Sequence, residues 1–86
     1  MKSILVAIKD NCSGVFTPPA LSPSTATAER LFYATLTGSE PGSMFSVYPK
    51  DFDMYLLGTF DDETGNINPE LTPKLLFRGA DKYQAS

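Results

Sequence analysis

Eighty-six residues, 42% of them apolar and 20% charged, make one folded domain (1–86) and exclude both a multidomain enzyme and a disordered chain. The formal net charge of −3 argues against strong non-specific attraction of the whole molecule to nucleic acid or anionic lipid, so any such contact must be local. Histidine is absent and Cys12 is the one cysteine, which leaves zinc, acid–base and triad chemistry without their commonest residue and predicts a non-enzyme with no cofactor.

Ser3 to Lys9 is a β-branched-rich run ended by Asp10, Asn11 and Gly14, the pattern of a first strand. Ile4, Val6 and Ile8 share one face and Leu5 and Ala7 the other, which predicts a strand inside a sheet. The apolar core of this run, Ile4 to Ile8, is too short for a signal peptide or a membrane span, so a cytosolic protein is expected. Without an export signal, the sequon Asn11-Cys12-Ser13 reads as a chance match in a turn. Residues 11–24 shift to Ser, Pro, Gly and Thr, and Pro18, Pro19 and Pro23 predict a loop, pinned to the body by Phe16 and Leu21.

The helix signal runs from about Thr25 to Thr37, with Ser22 or Ser24 as cap and Gly38 at its end. Ala28, Leu31, Phe32, Thr35 and Leu36 form one stripe that should face a sheet. Ser39 to Gly42 reads as a turn, and Pro49 opens a single helical turn through Phe52. Residues 53–60 are the second clear strand, in which Met54, Leu56, Gly58 and Phe60 alternate with Tyr55, Leu57 and Thr59. A hairpin loop follows at 61–66, where Gly65 supplies a positive φ. Ile67 begins a return strand broken or bulged by Pro69 and Pro73, Lys74 to Arg78 is a last strand, and residues 84–86 form a tail expected to fray.

The expected architecture is therefore α+β, in the order β-α-β-β-(β): a small sheet of three to four strands with one helix on one face. The other face, carrying Leu5, Ala7, Tyr55 and Leu57, is left apolar and uncovered, which predicts a homodimer through those residues.

Candidate sites are few. Asp61-Asp62-Glu63 fails the calcium-loop pattern, because Gly65 is fifth instead of sixth and the twelfth position is Thr72. Asp51 and Asp53 lack an accompanying nucleophile or phosphate loop, so Asp51 reads as a solvated residue of the one-turn helix and Asp53 as a carboxylate bonding a loop amide. Cys12, with Lys9 and Asp10 nearby, reads as an ordinary exposed thiol. Lys74, Phe77, Arg78, Lys82 and Tyr83 bring three cations and two aromatics into ten residues, the mixture that single-strand binders use to track phosphates and stack bases. The plainer reading of that stretch packs Phe77 inward and leaves its cations solvated.

The segment Pro49-Lys50-Asp51-Phe52-Asp53-Met54-Tyr55-Leu56-Leu57-Gly58-Thr59-Phe60-Asp61-Asp62-Glu63-Thr64-Gly65 resembles a stretch of the small non-structural protein of gokushoviruses, single-stranded-DNA phages of the microvirus family. The opening Val6-Ala7-Ile8-Lys9-Asp10 is similar to that family's first strand, and the likeness is fainter elsewhere. The resemblance implies a phage protein of the host bacterial cytoplasm that binds single-stranded DNA during genome replication or packaging. The matched segment is itself acidic and reads as a fold or assembly element. The competing expectation is a structural protein that dimerises and binds a viral or host protein without touching nucleic acid.

Overall fold

The computed structural model describes residues 1–38 and 40–82, the last of these by its backbone alone. Strands β1 (Lys2–Asp10), β2 (Val15–Phe16), β3 (Ala20–Ser22), β4 (Phe52–Asp61) and β5 (Ile67–Arg78) form one antiparallel sheet, so the α+β class is as expected with five strands in place of three or four. Helix α1 (Thr25–Gly38) packs on it, and two short helices, α2 (Met44–Val47) and α3 (Gly79–Lys82), lie with a 3-10 turn (Pro49–Asp51) near one end. The sheet runs β2-β1-β4-β5, with β3 also pairing to β1, so β1 is interior as its two apolar faces require.

The segment 11–24 is not simply a loop. Val15–Phe16 lies before the first proline and Ala20–Ser22 between Pro19 and Pro23, so every residue of both stretches keeps its N–H, and both pair with β1. Thr17 reinforces the first pairing, its amide donating to the Ile8 carbonyl and its Oγ1 accepting from the Ile8 amide. At the other edge, Pro69 and Pro73 do not split the return strand in two. A register shift between Leu56 and Gly58 lets β5 bulge outward at residues 70–73, and the strand resumes at Lys74. The prolines, the bulges and Lys74 blunt β5 as an open edge.

Ser24 is the helix cap. Its Oγ accepts from the Thr27 amide, and its carbonyl accepts from the Ala28 amide. Ala28, Phe32 and Leu36 are buried against Val6, Ile8, Phe52 and Met54, while Leu31 is 46% exposed. The apolar stripe is thus rotated from the expected one, away from Leu31 and towards Tyr33, which packs against the core and stacks at a tilt on Phe32.

A second register shift, between Leu5 and Val6, places Leu57 as an extra residue on β4. Directly opposed residues of antiparallel strands share a face, so the pairings Ile8–Met54, Val6–Leu56 and Ile4–Thr59 mark the helix side, and Ala7–Tyr55, Leu5–Gly58 and Ser3–Phe60 the other. Strict alternation puts Gly58 and Phe60 with Met54; the bulge moves both to the opposite face. Gly58 has no room for a side chain there, because an added Cβ would lie 2.5 Å from the Asn68 carbonyl oxygen on β5.

Candidate nucleic-acid interface

The face of the sheet away from α1 is the candidate site. Leu5 and Ala7 from β1, Tyr55 and Phe60 from β4, Leu75 and Ile67 from β5 and Leu21 from β3 stand on it, as the pairings Leu5–Leu21, Tyr55–Leu75 and Phe60–Ile67 require. Among the described residues no helix covers this side. Leu21 is 52% exposed, Ile67 58% and Leu75 45%, against 0% for Phe32 beneath the helix.

One end of the face is aromatic and basic. Phe16, opposite Lys9 on β2, reaches diagonally across Ala7 to meet Tyr55 edge to face, with ring centroids 5.5 Å apart and planes at 72°. The small Ala7 side chain leaves space for this contact. Lys9 Nζ lies 5.7 Å from the Phe16 centroid and 5.9 Å from that of Tyr55, within cation–π range of both. The cation is therefore held over the rings at the surface. Arg78 continues the same end, opposite Asp53, and is exposed.

Asp53 lies between Lys9 and Arg78 in the register but is only 6% exposed. Asn11 Nδ2 donates to its Oδ2 at 2.9 Å, and the Asn11 amide donates to the Asp51 carbonyl, so this carboxylate ties the turn after β1 to the start of β4. The turn in turn delivers Phe16 to the face. Asp53 thus reads as a positioning carboxylate held by the Asn11 side chain; the sequence indicated a bond to a loop amide, and its burial had no sequence signal.

The opposite end is acidic. Asp61, Asp62 and Glu63 sit in the β4–β5 hairpin, where Gly65 takes φ +76°. The Met1 ammonium donates to Asp62 Oδ1 at 2.8 Å and reaches Glu63 Oε1 at 3.5 Å. That hydrogen bond to Asp62 raises the ammonium pKa above its ordinary 8.0, while the Glu63 amide donating to Asp61 lowers that carboxyl below 3.8. Among the described residues no group of three or more Asp, Glu, Cys or His is placed to hold a metal ion.

Residues 3–82 match the family described as phage ORF5 protein. The chain belongs to the phage ORF5 protein family. No curated protein and no solved structure matches it.

In this ORF5-family chain the residues singled out from the sequence are only partly brought together. Leu5, Ala7 and Tyr55 share the uncovered face, and Leu57 sits half-buried at the bulge beside it. The C-terminal cluster is divided. Lys74 stands opposite Leu56 on the helix side and is exposed, whereas Phe77 stands opposite Met54 and packs against the core. Arg78 is on the uncovered face, and its carbonyl accepts from the Tyr33 hydroxyl at 3.3 Å. Lys82 ends α3, and its side chain lies outside what is described, as do Tyr83 and the expected tail at 84–86. Phe16 and Lys9 are the members that sequence reasoning missed as a pair; their signal was an aromatic in a segment read as loop and a cation at the end of β1. No helix among the described residues is long and apolar enough to cross a membrane.

Proposed function

We propose that this phage ORF5-family protein is a non-enzymatic, single-stranded-DNA-binding protein of the host bacterial cytoplasm, acting in genome replication or packaging as the likeness to gokushoviruses implies. The reading rests chiefly on Lys9 held over Phe16 and Tyr55 on an uncovered sheet face, with Arg78 at the same end. Exposed rings on a sheet stack bases at about 1–3 kcal/mol per base, and nearby cations follow the phosphates. A flat sheet face suits splayed single strands, because duplex reading needs a helix or ribbon that enters a groove. The net charge of −3 fits a site of few phosphate contacts whose affinity comes largely from stacking.

Fluorescence anisotropy with a labelled oligothymidylate at two salt concentrations tests the proposal. Tyr55→Ala should weaken binding about 5- to 150-fold, the equivalent of the 1–3 kcal/mol of one stacked base, with little change in salt slope. Lys9→Ala with Arg78→Ala should reduce the slope by up to about 1.4, at roughly 0.7 per lost phosphate contact. A second reading, a protein-binding face, is favoured by the exposure of Leu21, Ile67 and Leu75. Absence of oligonucleotide binding even at low salt selects it.

A further inference from the structure

We propose that in the free protein the uncovered sheet face is covered by a second copy of this chain, packed face to face with the strands of the two sheets running in opposite directions, and that this copy and single-stranded DNA exclude one another. The competition rests on the DNA-binding reading; the dimer does not.

Three observations carry the proposal. The first is extent. Four strand widths of about 4.8 Å and the nine residues of β1 at about 3.4 Å each give a face of roughly 19 by 30 Å. Side chains standing on that projected area of about 570 Å² bring its accessible surface towards the roughly 800 Å² that each partner of a stable interface contributes. The second is content. Leu5, Leu21, Tyr55, Phe60, Ile67 and Leu75 make the face apolar between its charged ends, and three of them are about half exposed or more; a contiguous patch of a few hundred Å² is one that soluble monomers rarely leave bare.

The third observation is charge, and it chooses the orientation. The hairpin end carries Asp61, Asp62 and Glu63 against Lys2 and the Met1 ammonium, leaving it net negative. On the face itself the other end presents Lys9 and Arg78 with Asp53 between them, leaving it net positive, since Asp10 at that end stands on the helix side opposite the buried Phe52. A two-fold axis lying between the sheets and across the strands sets each hairpin over the partner's Lys9 and Arg78. The alternative axis, along the strands, puts like ends together. Pairing through the β5 edge is the weaker route, since its prolines and bulges interrupt the ladder. The hairpin carboxylates then occupy the cations that DNA phosphates would take, which makes the two partners mutually exclusive.

Sedimentation velocity on the full chain at tens of micromolar, with circular dichroism as a folding control, tests this. The expected result is a species of twice the chain mass that becomes monomeric in Leu21→Glu and weakens in the pair Asp62→Lys with Glu63→Lys. Adding Lys9→Glu and Arg78→Glu to that charge-reversed pair should restore association, which neither a merely apolar contact nor the alternative axis would produce. Oligothymidylate should convert dimer into monomer–DNA complex. A wild-type monomer at 100 micromolar overturns the dimer, as does a dimer untouched by folded Leu21→Glu. Simultaneous binding of DNA by an intact dimer overturns the exclusion. If the wild-type chain, diluted until it is monomeric, binds no oligothymidylate even at low salt, the DNA reading fails while the dimer stands.

Discussion

The two faces of this sheet are built from similar residues and meet different fates. On one, Val6, Ile8 and Met54 lie beneath Phe32 and Leu36 of the single long helix and are buried. On the other, Leu5, Tyr55 and Phe60 are half-buried, and Leu21, Ile67 and Leu75 are half exposed. Apolar content alone does not make a core; a covering layer does. The described residues hold one long helix, and it lies on the first face, so the second is left without a covering layer.

The largest expected contrast is in stability. Phe32→Ala removes a ring that is 0% exposed from the centre of the core and should cost about 3–5 kcal/mol, enough to unfold most of a small domain. Leu75→Ala, on the other face, should cost less than about 1 kcal/mol in dilute monomer. Urea unfolding of both variants measures the difference, and near-equal losses would break the distinction between covered and uncovered faces.

Gly58→Ala comes next. Its new methyl group would meet the Asn68 carbonyl oxygen and lie 2.9 Å from the Pro69 Cα, both backbone atoms with little freedom to move, so a loss of about 1–3 kcal/mol is expected from overpacking. Asn11→Ala should cost a similar 1–3 kcal/mol by removing a donor from the buried Asp53 carboxylate. It should also loosen Phe16 and weaken DNA binding, a readout that a purely structural tie would leave unchanged.

The smallest effect is at the acidic hairpin. The Met1 ammonium has a raised pKa in the folded chain, so the stability it lends is complete below about pH 8.0 and is lost as pH rises through the higher folded value. Asp61 has a lowered pKa, so its contribution is present above about pH 3.8 and disappears as pH falls through the folded value. Both groups are exposed, and NMR titration should find the two shifts with little change in unfolding midpoint between those limits.

Much of this contrast was legible in the residues. Two-sided apolar patterning in β1 and β4, set against one amphipathic helix, already implied an uncovered face through Leu5, Ala7 and Tyr55. The site on that face was not legible, for reasons of register. The bulge at Leu57 moves Phe60 across the sheet, and the bulge around Leu76 puts Lys74 and Arg78 on opposite sides. Alternation counted along the chain cannot see an extra residue on one strand. Likewise, Phe16 becomes neighbour to Tyr55 only because two residues between the turn at 11–14 and Pro18 pair with Lys9 and Asp10, a contact made by tertiary hydrogen bonds in a segment with loop composition.

The most direct test of the account is an NMR titration of the isotope-labelled protein with oligothymidylate, under dilute conditions that favour the monomer. The account predicts that the largest shift changes fall on Lys9, Phe16, Tyr55 and Arg78, with the outer side of α1 at Glu29 and Arg30 unmoved. Changes centred on Lys74 and the helix side of the sheet, or none at a large excess of oligonucleotide, would contradict it.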